Sequence, residues 1–246
     1  MEAHDATYAA PSGVAAQVRP ARVICILGMH RSGTSCLAGS LEQQGLFLGE
    51  TNTRGPFNRR GNRENFDMMN LQADILQHNG GRWDEPPQVV EWAPEHFESA
   101  TRMLAQHSGQ PLWGFKDPRT LLTFDGWREL VPDLEAVGIF RHPLAVAHSL
   151  AHRNKFPLEK GLALWEAYNR RLVEIYRDDA FPVVSFDEDA AVLEPKLHRV
   201  GEMIGLEPSP AGEPFFTDEL RTSPAAGDPL PGPVDSLYAE LRSLAL

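Results

Sequence analysis

The apolar residues of this chain form two patterns, short continuous runs and longer segments with helical spacing. The short runs are rich in β-branched and aromatic residues and lie at residues 22–27, 112–115, 135–140 and 181–186. Such runs are typical of strands that are buried on both faces of a parallel sheet. The longer segments predict helices over residues 32–44, 65–78, 94–107, 143–152, 158–177 and 192–204. Strands that alternate with helices predict an α/β fold with a central, mostly parallel sheet.

The chain of 246 residues is long enough for one sizeable domain. Residues 1–20 are expected to form a disordered leader, and residues 21–222 the α/β domain. Residues 223–246 read as a tail rich in Pro and Gly that ends in a short helix over residues 237–244. The pattern leaves open whether this helix docks on the domain or extends away from it.

Composition and charge narrow the class of protein. Apolar residues make up 42% and charged residues 23%, an ordinary globular balance, and the net charge is −11. This charge argues against nucleic acid or an anionic membrane as a partner but allows a local basic pocket. No run is long enough to span a bilayer and no signal peptide is evident, so we expect a cytoplasmic protein. The two cysteines, Cys25 and Cys36, are expected to be buried thiols.

A loop between the first strand and the first helix has the features of an anion site. Gly28 and Gly33 have the glycine spacing of a Walker A loop, but Thr34 stands where that motif has its lysine. The cation is instead Arg31, inside the loop. Backbone N–H groups and the helix N-terminus would bind the anion. The candidate ligand-binding residues are His30, Arg31, Ser32, Gly33, Thr34 and Ser35.

A second candidate segment follows the strand at 135–140 and opens the next helix. Arg141 offers a guanidinium fork, and Ser149, eight residues later, adds a hydroxyl. Arg153 lies one helical turn beyond Ser149 on the same face. The alternative is that Arg141 only ends the strand and Ser149 only lies on the helix surface.

Together the two segments resemble the family of sulfotransferases that use 3′-phosphoadenosine 5′-phosphosulfate (PAPS). Arg31-Ser32-Gly33-Thr34-Ser35 is similar to that family's 5′-phosphosulfate loop, and Arg141 with Ser149 is similar to its 3′-phosphate motif. The resemblance covers residues 22 to about 187. It implies a P-loop-like three-layer fold, PAPS as the donor, and a hydroxyl or amine of a carbohydrate or small molecule as the acceptor. It identifies neither the acceptor nor the oligomeric state.

Sulfuryl transfer needs a cation near the leaving phosphate and benefits from a base for the acceptor. Arg31 is the first candidate cation and Lys116 is the second. The alternative for Lys116 is that it is a surface lysine paired with Asp117. Glu64 resembles the glutamate of the carbohydrate-modifying branches and is the candidate base, although it could equally cap the helix at 65–78. The spacing of His and Cys predicts no metal site.

Two departures from the cytosolic phenol and steroid enzymes favour a bacterial or carbohydrate-modifying type. Pro118 stands where that branch has a histidine, and Cys36 stands where it has a tryptophan after the loop. The arginine-rich residues 54–63 are consistent with an acceptor-binding segment, a lid over the cofactor, or a solvated loop. Two other functions stay open, a P-loop kinase or other nucleotide-dependent phosphotransferase and a non-catalytic nucleotide-binding module.

Overall fold

A parallel four-stranded sheet forms the centre of the computed structural model, which describes residues 18–54, 60–207, 215 and 229–246. The strands are β1 (Arg22–Leu27), β2 (Leu112–Lys116), β3 (Glu135–Phe140) and β4 (Val183–Ser185), in the order β2-β1-β3-β4. In β1, Ile24 is in register with Gly114 on one side and Glu135 on the other. The predicted parallel α/β sheet is therefore confirmed.

Helices cover both faces of the sheet. They are α1 (Thr34–Gln43), α2 (Phe66–His78), α3 (Pro94–Gln106), α4 (Thr120–Leu130), α5 (Pro143–Asn154), α6 (Leu158–Asp178), α7 (Ala190–Met203) and α8 (Gly232–Leu244). Side chains of successive residues in β1 point to opposite faces of the sheet, as the two-residue period of a strand requires. Cys25 packs with residues of α2 to α6 and α8, whereas Ile24 and Ile26 pack with α1 and α7. This arrangement confirms the three-layer architecture.

The C-terminal helix docks on the domain and begins five residues earlier than the predicted 237–244. Its apolar stripe, Val234, Leu237 and Leu241, is buried in the same core as α6. The Tyr238 hydroxyl donates a hydrogen bond to Asp187, which lies 3.1 Å away and two residues after β4. The leader at 1–17 and the tail at 223–228 lie outside the described residues, so the division into leader, domain and tail stays a prediction.

Helix α4 was not predicted from the sequence. Its interior holds Gly126, which has poor helix propensity. Tertiary packing stabilises it, since Phe124 and Trp127 are buried in the core and the Trp92 ring packs against Gly126. Strand β4 is shorter than predicted, in part because Pro182 has no N–H to donate to a neighbouring strand.

Both cysteines are buried and unbridged, as expected. Within the described parts of the chain, no helix has the length and apolar character needed to cross a bilayer. The chain passes from β1 to β2 on one side of the sheet and from β3 to β4 on the other. The topological switch point of the sheet therefore lies between β1 and β3. In open α/β sheets, ligands bind beyond the carboxyl ends of the strands at such a point.

Candidate active site

The loop from β1 to α1 is shaped by two glycines that no other residue could replace. A Cβ on Gly28 would lie 2.4 Å from the backbone oxygen of Ile139, in β3. Gly33 has a φ of +94°, and its Cβ would lie 2.5 Å from the ring of Phe186. The loop therefore lies close to β3 and to the end of β4. Helix α1 begins only at Thr34, not at Ser32 as predicted, because the left-handed Gly33 is its N-cap.

The first turn of α1 directs N–H groups towards the carboxyl edge of the sheet. The amides of Thr34 and Ser35 belong to this turn, whose N–H groups have no acceptor within a helix. The helix dipole adds a partial positive charge there. In the same loop, the Ser32 hydroxyl is buried and has no hydrogen-bond partner. An anionic ligand at this position would supply the missing acceptors, so the loop suits an anionic group.

Arg31 joins the two segments that the sequence analysis paired. Its Nε donates a hydrogen bond to the Ser149 hydroxyl on α5 at 2.8 Å, and its backbone oxygen lies 3.5 Å from a guanidinium nitrogen of Arg141. Arg31 also has a φ of +67°, an uncommon conformation for a residue with a side chain and one that clusters at functional sites. The contact lies between β1 and β3, at the topological switch point.

Arg141 follows β3 directly and is almost fully buried, with 4% of its surface exposed. Its backbone oxygen accepts a hydrogen bond from the Trp165 indole at 2.8 Å, and its guanidinium lies over the Phe186 ring at 5.3 Å. The next residue, His142, caps α5, because its Nδ1 accepts from the Leu144 amide at 3.3 Å. These contacts fix the direction of the Arg141 side chain.

Lys116 lies at the end of β2 and forms a buried ion pair with Glu64. The Nζ–Oε1 distance is 2.5 Å, and the two side chains are 1% and 12% exposed. Burial lowers the pKa of Lys116, and the Glu64 carboxylate opposes this shift. The alternative of a surface lysine paired with Asp117 is wrong. Asp117 instead binds the Arg119 guanidinium with both carboxylate oxygens, at 2.8 and 2.5 Å.

Glu64 does not cap α2. The cap is Asn65, whose side-chain oxygen accepts a hydrogen bond from the Met68 amide at 3.0 Å. Backbone hydrogen bonds from Asn52 to the Glu64 oxygen (2.9 Å) and from Arg63 to the Asn52 oxygen (3.0 Å) fix the segment before the helix. The Glu64 side chain is thereby left to bind Lys116 at the strand ends.

His30 lies in the loop from β1 to α1, called the phosphate loop below, and faces an aromatic wall formed by Trp83 and Tyr168. Its ring centroid is 4.6 Å from that of Trp83 and 5.9 Å from that of Tyr168. Its Nε2 atom is buried and has no hydrogen-bond partner. Burial lowers the pKa of His30 well below its usual value, and four nearby cations add to this effect, so the ring is neutral at pH 7. In order of influence, they are Arg119, Lys116, Arg153 and Arg31.

The carboxyl edge of the sheet is therefore locally basic in an acidic protein. Burial and the charge of Arg153 both lower the pKa of the Arg31 guanidinium, which stays charged because arginine titrates far above neutral pH. The carboxylates of Glu64 and Asp117 pair with Lys116 and Arg119. Mutual repulsion among cations is relieved when an anion binds among them. The net charge of −11 thus coexists with a cluster of cations at this edge.

Sequence reasoning missed several residues that shape this edge. Arg119 carried a local signal, since Asp117-Pro118-Arg119 directly follows a strand. Trp83, Tyr168 and Phe186 carried none, because only the tertiary fold brings them to the loop. Among the predicted ligand residues, the Ser35 hydroxyl donates to the Asn62 backbone oxygen at 3.1 Å, which ties α1 to the arginine-rich segment.

The arginine-rich segment is described only in part, since residues 55–59 lie outside the described residues. Arg60 and Arg63 both lie over the Phe215 ring, at 5.4 and 5.1 Å, and Arg63 forms an ion pair with Glu42 at 2.6 Å. Arg54 is exposed. A role in acceptor binding or as a lid stays a prediction. Within the described ranges, no group of three His, Cys, Asp or Glu side chains is placed to hold a metal ion.

Comparison with known proteins shows the fold. No protein-family model matches this chain, and no curated sequence matches it. The sulfotransferase domain of the olefin synthase from Synechococcus PCC 7002 is similar in structure, with a TM-score of 0.55 at 14% identity over 91% of this chain and 95% of that domain. Sulfotransferase STF1 of Mycobacterium tuberculosis aligns with a TM-score of 0.44 at 16% identity over 76% of this chain and 69% of that one. The first likeness shows that the chain has the fold of a sulfotransferase domain.

Proposed function

We propose that this protein is an enzyme that transfers a sulfuryl group from PAPS to a hydroxyl or amine of a carbohydrate or small molecule. The observation that carries the proposal is the hydrogen bond between Arg31 Nε and Ser149 Oγ. It joins two segments more than 100 residues apart, each of which resembles one half of a PAPS site. The sulfotransferase fold supports the same assignment.

The two anionic groups of PAPS are assigned to the two segments, one to each. The amides of the phosphate loop, with the hydroxyls of Ser32, Thr34 and Ser35, are proposed to hold the 5′-phosphosulfate. Arg141, Ser149 and Arg153 are proposed to hold the 3′-phosphate, because guanidinium groups and hydroxyls are good phosphate donors. The unpartnered Ser32 hydroxyl and the local positive charge both fit a ligand with several anionic groups.

Arg31 and Lys116 are proposed to stabilise the charge that develops on the leaving phosphate and the sulfuryl oxygens. Both cations are held in place by other side chains, Arg31 by Ser149 and Lys116 by Glu64. Such preorganisation favours the transition state because no reorganisation is needed during the transfer. Glu64 contributes by keeping Lys116 charged and oriented despite its burial, which otherwise favours the neutral amine.

A kinase is the second candidate function, and Thr34 argues against it. A P-loop kinase needs a lysine at this position for the β- and γ-phosphates, whereas Thr34 is buried in the first turn of α1. A passive binding module is disfavoured by the Lys116–Glu64 pair, since burying two charges costs free energy that simple ligand binding does not require.

The test compares ligands and then turnover. The product nucleotide 3′-phosphoadenosine 5′-phosphate (PAP) should raise the melting temperature, and ATP with Mg²⁺ should not. Arg141→Ala should remove the PAP effect, while Arg170→Ala, which changes an exposed arginine on α6, should keep it. Stabilisation by ATP with Mg²⁺ alone would indicate a kinase. PAP binding without transfer or hydrolysis of ³⁵S-labelled PAPS would indicate a binding module.

A further inference from the structure

The buried Nε2 atom of His30 is a polar group that the proposed donor contacts do not use. It has no hydrogen-bond partner in the structure. Leaving a buried polar atom unpaired costs free energy, so such an atom at the edge of a ligand site is a candidate for contact with the ligand. The atom lies at the carboxyl end of β1, in the loop that also carries Arg31.

The other candidate bases at this edge already have partners. Glu64 binds the Lys116 ammonium, and the Asp117 carboxylate binds Arg119 with both oxygens. His142 uses its Nδ1 lone pair for the Leu144 amide. His30 Nε2 differs from these candidates in being buried without a hydrogen-bond partner, while Glu64 as the base stays a prediction.

We propose that His30 Nε2 takes the proton of the acceptor hydroxyl during sulfuryl transfer, a role that rests on the proposed function. The acceptor oxygen forms a bond to sulfur while the bond from sulfur to the 5′-phosphate oxygen breaks. The electron pair of the broken bond stays on the phosphate of the departing PAP. The hydroxyl proton moves to Nε2 and is released to water after the products leave. Atoms and charge balance without another reactant.

This role needs a neutral ring with its proton on Nδ1. The tautomer is set by the hydrogen bonds and charges around the ring. The positive charges around the ring favour the neutral imidazole over the imidazolium. The charged and titratable groups around the ring are Arg31 in the loop, Lys116 at the end of β2, Arg119 before α4, Arg153 on α5 and Tyr168 on α6.

The aromatic wall fixes the direction of the ring. The Tyr168 hydroxyl donates to the Trp83 backbone oxygen at 2.8 Å, and the Trp83 ring packs between His30 and Phe156. Burial raises the pKa of Tyr168 well above its usual value, so its hydroxyl stays protonated as a donor. The wall therefore keeps the imidazole at the loop.

The cations around His30 also link proton acceptance to donor binding. In the free enzyme they oppose protonation of the ring. An anionic donor bound among the same cations offsets their charge and makes the ring a better base. The ring thus gains basicity when the donor is in place.

Nitrogen-15 NMR of histidine-labelled protein tests the tautomer directly. We expect the His30 signal to show the proton on Nδ1 in the free protein, and its pKa to rise when PAP is added. A proton on Nε2, or a pKa that PAP leaves unchanged, would overturn the proposal. The signal is assigned with His30→Gln.

Single-turnover kinetics test the chemical role, with water as the acceptor and release of ³⁵S-sulfate from bound PAPS as the readout. His30→Gln should lower the rate by about 10²–10⁴-fold, the usual effect of losing a general base, with PAP affinity unchanged. His198→Gln, an exposed histidine on α7, is the matched control and should keep the rate. If PAP binds but His30→Gln stays within tenfold of the wild type, this inference alone fails. If PAP does not bind the wild type, the proposed function fails.

Discussion

Lys116→Met should lower the free energy of unfolding by about 3–5 kcal/mol, because it leaves the Glu64 carboxylate buried without its cation. Glu64→Gln should destabilise by a similar amount for the converse reason. The double variant, in which both charges are removed, should be less destabilised than the sum of the two single variants. The pair therefore offers a direct test of the electrostatics at the site.

The magnitude follows from the geometry. At the observed Nζ–Oε1 distance of 2.5 Å, Coulomb attraction at an effective dielectric constant of about 20 amounts to roughly 7 kcal/mol. Desolvation of two nearly buried ions offsets several kcal/mol of this attraction. We therefore expect a coupling energy of about 2–3 kcal/mol, within the usual range for residues in direct contact.

The assay is urea unfolding of the wild type, the two single variants and the double variant, with free energies from linear extrapolation. The matched control is the same cycle on Arg170 and Glu166, a more exposed pair on α6 whose coupling should be at most about 0.5 kcal/mol. If the costs of Lys116→Met and Glu64→Gln simply add, the two charges are not coupled and the electrostatic account of Lys116 is refuted.

Three further predictions concern ligand binding and turnover. Arg141→Ala should weaken PAP binding by about 1.5–3 kcal/mol, the loss of a charged hydrogen bond, and unchanged affinity in calorimetry would remove Arg141 from the site. Arg31→Ala should lower the rate of PAPS turnover far more than PAP affinity, and equal losses would make Arg31 a simple anchor. Because Glu64 raises the pKa of Lys116, Glu64→Gln should lower it further, so that PAP affinity declines from a lower pH than in the wild type; superimposable pH profiles would contradict this.

Much of the fold could be predicted because its signals are local. The strands β1 and β3 have the predicted bounds, since continuous apolar runs between turns leave little ambiguity. Helix α4 could not be predicted, because Gly126 weakens its local preference and the packing of Trp92 and Trp127 stabilises it. The start of α8 was placed five residues too late for a similar reason, because its first turn begins with Gly232 and Pro233.

The parts of the site that lie in single loops could be predicted from the sequence. The contacts between residues far apart in the chain could not. Arg31 and Ser149 could be named from two motifs, but only the fold shows that they touch. The Lys116–Glu64 pair joins residues 52 positions apart, so Asp117 was the nearer partner that the sequence offered. The surroundings of His30 come from Trp83 and Tyr168, which no local pattern connects to the phosphate loop.

The packing of Gly33 against Phe186 has a consequence for how the protein matures during synthesis. The phosphate loop leaves the ribosome early, but the ring that packs against it follows β4, the last strand of the sheet. Contacts between distant parts of a chain form late, since closing a long loop must precede them. A nascent chain that ends before Phe186 therefore lacks one side of the packing around the loop from β1 to α1. We expect the proposed donor site to be complete only once nearly the whole sheet has been made.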